Sequence, residues 1–102
     1  MYKRNKNQRC EELYEALLTC KTVEECQKFL EDLCTVNELR AMEQRYQVAA
    51  YLHSGMIYSE ILSRTGASSA TISRVNRSLQ YGAGGYDVVF ARLGKTGKEG
   101  EE

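Results

Sequence analysis

Apolar residues recur along this chain with the three-and-four spacing of helices, and no stretch of useful length shows the alternation of a strand. Leu13, Leu17 and Leu18 with Tyr14 predict a first amphipathic helix, from about Asn7 to near Cys20. Val23, Cys26, Phe29, Leu30 and Leu33 predict a second. Each of the next two helix starts carries its own signal. Thr22 with Glu25, and Thr35 with Glu38, have the spacing of a capping box, in which hydroxyl and carboxylate satisfy opposite backbone amides. The second box opens the longest helix, to about Ser54, with Gly55 as its stop.

That long helix is apolar on more than one side. Leu39, Met42, Tyr46, Ala49 and Ala50 mark one stripe, while Ala41, Val48, Tyr51 and Leu52 lie on others. Such a helix needs cover on more than one side, and a second copy of the chain is the natural source. Two shorter patterns follow, Tyr58 to Thr65 and Ser69 to Tyr81, joined by Gly66-Ala67-Ser68. Gly82-Ala83-Gly84-Gly85 breaks the chain before a last short helix, Asp87 to Leu93. The expectation is one all-α domain over residues 1–94, frayed at Met1 to Lys6, with a disordered tail at residues 95–102.

Composition narrows the chemistry. The chain has 102 residues, no proline and no tryptophan, and a formal net charge of zero. Charge alone therefore announces no nucleic-acid partner, but its distribution is uneven. From Met56 to Gln80 the charges are Arg64, Arg74 and Arg77 against Glu60, whereas Glu11 to Asp32 leans acidic. The four cysteines, Cys10, Cys20, Cys26 and Cys34, form no CxxC pair, and the single histidine, His53, falls on another predicted helix. Small apolar side chains, reduced in a cytoplasmic protein, are expected rather than zinc ligands. Neither a signal peptide nor a membrane span is legible.

The pair of short helices is the informative element, a candidate helix-turn-helix at about residues 58–81. Ile61 and Leu62 are expected to face the second helix, and Ile72 and Val75 to face back. Gly66 suits a turn that needs positive φ, and Ser68 suits the cap of the second helix. Ser69, Ala70, Thr71 and Ser73 are then left outward, small or hydrogen-bonding, as befits a recognition helix entering the major groove end-on. Hydroxyls bond bases or phosphates, and the methyls of Ala70 and Thr71 match a thymine methyl. Arg64, Arg74 and Arg77 are candidate phosphate partners, and Ser59 joins this DNA-facing set with Ser68. The bland reading is an ordinary helical hairpin; turn glycine, cap, inward positions and outward face together favour DNA.

These residues resemble the tryptophan repressor family, in particular its YerC/YecD-type branch. The likeness runs from about Leu33 to Leu79. It rests on Leu33-Cys34-Thr35-Val36-Asn37-Glu38-Leu39-Arg40-Ala41-Met42, on Arg45, on Gly66-Ala67, on Ala70-Thr71-Ile72-Ser73-Arg74, and on Ser78-Leu79. The resemblance implies an intertwined all-helical homodimer with one helix-turn-helix per subunit and a role in transcriptional repression. It also implies an effector pocket at Thr35, Arg45, Arg74 and Ser78, where Arg74 would hold a ligand carboxylate. The family has glycine after that arginine, leaving room for an indole; this chain has Val75. A filled slot is expected, with Arg45 and Arg74 facing solvent or phosphate and L-tryptophan binding poorly. No cofactor or metal is expected.

A sequence-specific regulator binding double-stranded DNA as a homodimer is thus the leading reading, and a dimeric helical protein-interaction module the alternative. An enzyme finds no support. The chain offers no paired carboxylates, no nucleophile with its base, and a glycine run that follows a helix rather than a strand.

Overall fold

The computed structural model describes residues 10–94, and six α-helices account for most of them. They are α1 (Glu11–Thr19), α2 (Val23–Leu33), α3 (Val36–His53), α4 (Tyr58–Thr65), α5 (Ser69–Tyr81) and α6 (Gly85–Arg92). No strand occurs among the described residues, so the fold class is all-α. The expected frayed start, the tail and the Asn7 helix start lie outside the described residues. The chain divides into two compact units, and the division falls inside α3, between Leu39 and Arg40.

In the unit ending at Leu39, α2 and α3 begin where the capping signals put them. The Thr35 hydroxyl accepts from the Glu38 amide at 3.1 Å, and the Glu38 carboxylate accepts from the Thr35 amide at 2.9 Å. At α2 the reciprocal bond is shifted by one residue. Thr22 accepts from the Glu25 amide, but the Glu25 carboxylate accepts from the amide of Lys21 rather than that of Thr22. No side chain in α1 or α2 is buried. Leu18 is 85% exposed, and Tyr14, Val23, Leu33 and Val36 are exposed too. The four cysteines are half-buried, and none forms a disulfide. Partial desolvation, then the neighbouring Cys26 and Glu25, push the Cys20 thiol above its ordinary pKa.

The unit from Arg40 onward holds the core. Val48, Ala49, Ile61, Ala67, Ile72, Val75 and Phe90 are buried, with Ala50, Tyr51, Leu52, Met56, Leu79 and Tyr86 packed against them. Phe90 is ringed by aromatics: the centroids of His53, Tyr46 and Tyr86 lie 4.7, 5.8 and 5.8 Å from its own. On α3 the buried residues are Val48 and Ala49, whereas Met42 and Tyr46 of the first apolar stripe are exposed in the single chain. One sequence expectation needs correction here. The last helix starts at Gly85, two residues before the expected Asp87, because Gly84 adopts positive φ (88°) and turns the chain into it.

Candidate nucleic-acid interface

The α4–α5 pair is built from its turn outward. Gly66, at φ +73°, follows α4, and its amide donates to the Leu62 carbonyl at 2.9 Å. This is the left-handed stop that glycine adopts without a Cβ penalty. Thr65 sends its hydroxyl back to the Ile61 carbonyl (2.7 Å) while accepting from the Ala67 amide (3.1 Å), so one side chain knits both sides of the turn. Gln44, on α3, donates to the Thr65 carbonyl at 3.2 Å and anchors the same turn from outside. Ser68 then caps α5, accepting from the Thr71 amide at 3.1 Å.

This turn buries Ile61, Ala67, Ile72 and Val75. Leu62 departs from expectation: it is 41% exposed, because neighbouring helical residues point about 100° apart and Ile61 takes the inward direction. Ala67, buried beside the turn glycine, was not read as core; a single alanine in a turn carries no periodicity to flag it.

Of the residues expected to meet DNA, Ser59, Arg64, Ser68, Ser69, Ala70, Ser73, Arg74 and Arg77 are exposed. Thr71 is half-buried, and its hydroxyl oxygen accepts a bond from the Ser68 hydroxyl at 3.0 Å. Arg64 is held: its Nη2 lies 3.2 Å from Glu60 Oε2, and its guanidinium carbon 6.0 Å from the Tyr51 ring centroid. First turns differ as well. Those of α1, α2, α3, α4 and α6 carry an acidic residue, whereas that of α5 carries none. An uncompensated helix N-terminus presents amide hydrogens and positive dipole, which favours an anion.

The residues expected to line an effector pocket fall in both units of the chain. Thr35 is occupied in capping α3. Arg45 and Arg74 are exposed, and Val75, beside Arg74, is 2% exposed. Ser78 lines an open, mainly apolar cavity of about 460 Å³ with Tyr46, Gly82, Tyr86 and Val89; neither arginine borders it. Among the described residues no group of three or more His, Cys, Asp or Glu is placed to hold a metal. Nor, among them, is any helix long and apolar enough to cross a membrane.

Known proteins share this arrangement. The family model described as Trp repressor protein matches residues 8–94. The uncharacterized protein YerC of Bacillus subtilis (strain 168) is 44% identical over 89 residues, covering 87% of this chain and 86% of that protein. A crystal structure of a candidate Trp repressor from Staphylococcus aureus superposes with a TM-score of 0.81 at 46% identity, over 85% of this chain and 87% of that one. A TrpR-like protein from Eubacterium eligens ATCC 27750 gives 0.80 at 51% identity, over 84% and 89%. The matched stretch takes in all six helices with their turn and caps, and by it the chain belongs to the Trp repressor protein family.

Proposed function

We propose that the chain is a sequence-specific transcriptional repressor, which binds the major groove of duplex DNA as a homodimer through α4 and α5 acting as a helix-turn-helix. One observation carries this reading: the pair buries Ile61, Ala67, Ile72 and Val75 while leaving Ser69, Ala70, Ser73, Arg74 and Arg77 on the surface. The first residues of α5 read base edges, and Arg64, Arg74 and Arg77 attract phosphates. The family match and the acid-free first turn of α5 support the same assignment. The exposed apolar residues of α1 and α2 support the dimer.

Selection of bound duplexes from a random pool is the test. A roughly palindromic site with half-sites about one helical turn apart, ~34 Å, or a multiple of it, is the expected result. No enrichment would leave the α4–α5 face to a protein partner instead. On the selected site, Thr71→Ala is expected to cost roughly 1–3 kcal/mol and to change the ranking of sequences.

An effector is not needed in this reading. Val75 fills the space next to Arg74, and an indole forced into a packed slot meets an overpacking cost of ~1–3 kcal/mol. Titration calorimetry with L-tryptophan is expected to show weak binding by the natural sequence and stronger binding by Val75→Gly. Tight binding by the natural sequence, coupled to DNA, would overturn this part.

A further inference from the structure

Arg64 differs from the other arginines of the α4–α5 face in being already engaged. Its guanidinium is paired with Glu60, one turn earlier on α4, at 3.2 Å, and lies 6.0 Å from the centre of the Tyr51 ring. Arg74 and Arg77 have neither an ion pair nor a ring partner among the described residues. Glu60 is also the one acidic residue between Met56 and Gln80, so it offsets one of three positive charges in that segment. Both side chains of the pair are about half exposed, at 54% and 48%, and the pair is therefore open to exchange with an incoming anion.

We propose that Glu60 tempers the affinity of this face for duplex DNA by competing with phosphate for Arg64. The proposal rests on the DNA-binding reading above. When a phosphate approaches Arg64, the guanidinium has two anions to choose between, and bringing phosphate next to a carboxylate is repulsive. The carboxylate thereby cancels part of what Arg64 contributes. It does so equally on every sequence, because a phosphate contact carries no base information. Glu60 also has an ordinary role, supporting the first turn of α4 through the helix dipole and the spacing of four to Arg64. That role alone predicts slightly lower stability without Glu60, and no gain in DNA binding.

The experiment measures binding of the full chain to its selected duplex and to an unrelated duplex, across a salt series. Glu60→Gln is expected to bind both duplexes roughly two- to five-fold more tightly at low salt, the range an exposed ion pair of this kind commands. The order of preference stays unchanged, and the log–log salt slope steepens by up to about one unit. In an Arg64→Ala background, Glu60→Gln is expected to give a clearly smaller gain, because only the competition for Arg64 has been removed. Equal or weaker binding by Glu60→Gln overturns the proposal, and so does an equal gain in the Arg64→Ala background, which would make Glu60 a simple repulsive charge. Glu60→Ala, with thermal melting of each variant, keeps the result independent of one substitution. If the natural chain enriches no duplex at all, the DNA-binding reading fails and takes this proposal with it; a natural chain that binds while Glu60→Gln brings no change defeats this proposal alone.

Discussion

The stretch from residue 10 to 39 and the stretch from 40 to 94 are both helical, yet only the second has an interior. The α2 and α3 starts in the first stretch are each fixed by a threonine hydroxyl that accepts from a glutamate amide, and no side chain there is buried. In the second stretch seven side chains are buried around Ile61, Ile72 and Phe90. Local signals start helices, but an isolated short helix in water is marginal, and apolar packing supplies most helical stability in proteins. The first stretch therefore has no buried core of its own, whereas the second owns its core.

The largest expected effect tests that ownership. Phe90→Ala removes the buried ring at the centre of the aromatic group and is expected to cost about 3–5 kcal/mol. Urea denaturation at a single protein concentration reads it, and a loss below about 1 kcal/mol would show that the interior is not held by this ring.

Next in size is a change in the first stretch. Leu18 is exposed in the chain, so Leu18→Ala should be nearly neutral for a monomer but cost up to about 3 kcal/mol if a partner subunit covers it. For a dimer, the denaturation midpoint of the natural chain rises with protein concentration, and the variant loses most at high dilution. A midpoint independent of concentration, together with a monomer mass in sedimentation, would erase the contrast between the stretches.

A third pair of substitutions sharpens the picture within the second stretch. A Cβ at Gly82 would run into the carbonyl oxygen of Ser78 in the last turn of α5, whereas one at Gly66 meets open space and faces only the strain of positive φ. Gly82→Ala is expected to cost ~1–3 kcal/mol, as overpacking does. Gly66→Ala should cost about 1 kcal/mol, from the left-handed backbone alone. Thermal melting orders them, and the reverse order would mean that α5 shifts freely at its end.

The smallest effect lies in the first stretch again. Because the Cys20 thiol is pushed up by desolvation and by Cys26 and Glu25, less of it is thiolate at pH 8 than of an ordinary cysteine. Iodoacetamide should label Cys20 more slowly than a free thiol of ordinary pKa, with the difference shrinking as pH rises. Faster labelling of Cys20 would reverse the sign.

These contrasts also explain what the sequence could disclose. The Thr35–Glu38 start, the stop at Gly66, the Ser68 cap and the inward Ile72 and Val75 were legible because each depends on residues within one helical turn. The face of α3 that packs inward was not. Apolar periodicity does not say which apolar surface packs within the chain, and it counts the exposed Met42 and Tyr46 on one stripe with the buried Ala49. Leu62 beside Ile61 poses the same problem at closer range, since adjacent helical positions point about 100° apart and only Ile61 of the two faces the core here. The held state of Arg64 was invisible for a different reason. The spacing to Glu60 permits a pair, but Tyr51 comes from another helix.

One contact has a bearing on how the protein ages. Gln44 donates its side-chain amide to the carbonyl of Thr65, 21 residues away and beside the turn. Hydrolysis of that amide to a carboxylate swaps a donor for a charged acceptor in front of another acceptor, turning an anchor into a repulsion with no change in shape. A deamidated preparation would keep its helices and nearly its mass, yet hold the α4–α5 turn less firmly, so loss of activity on storage would have a one-atom cause detectable by peptide mapping.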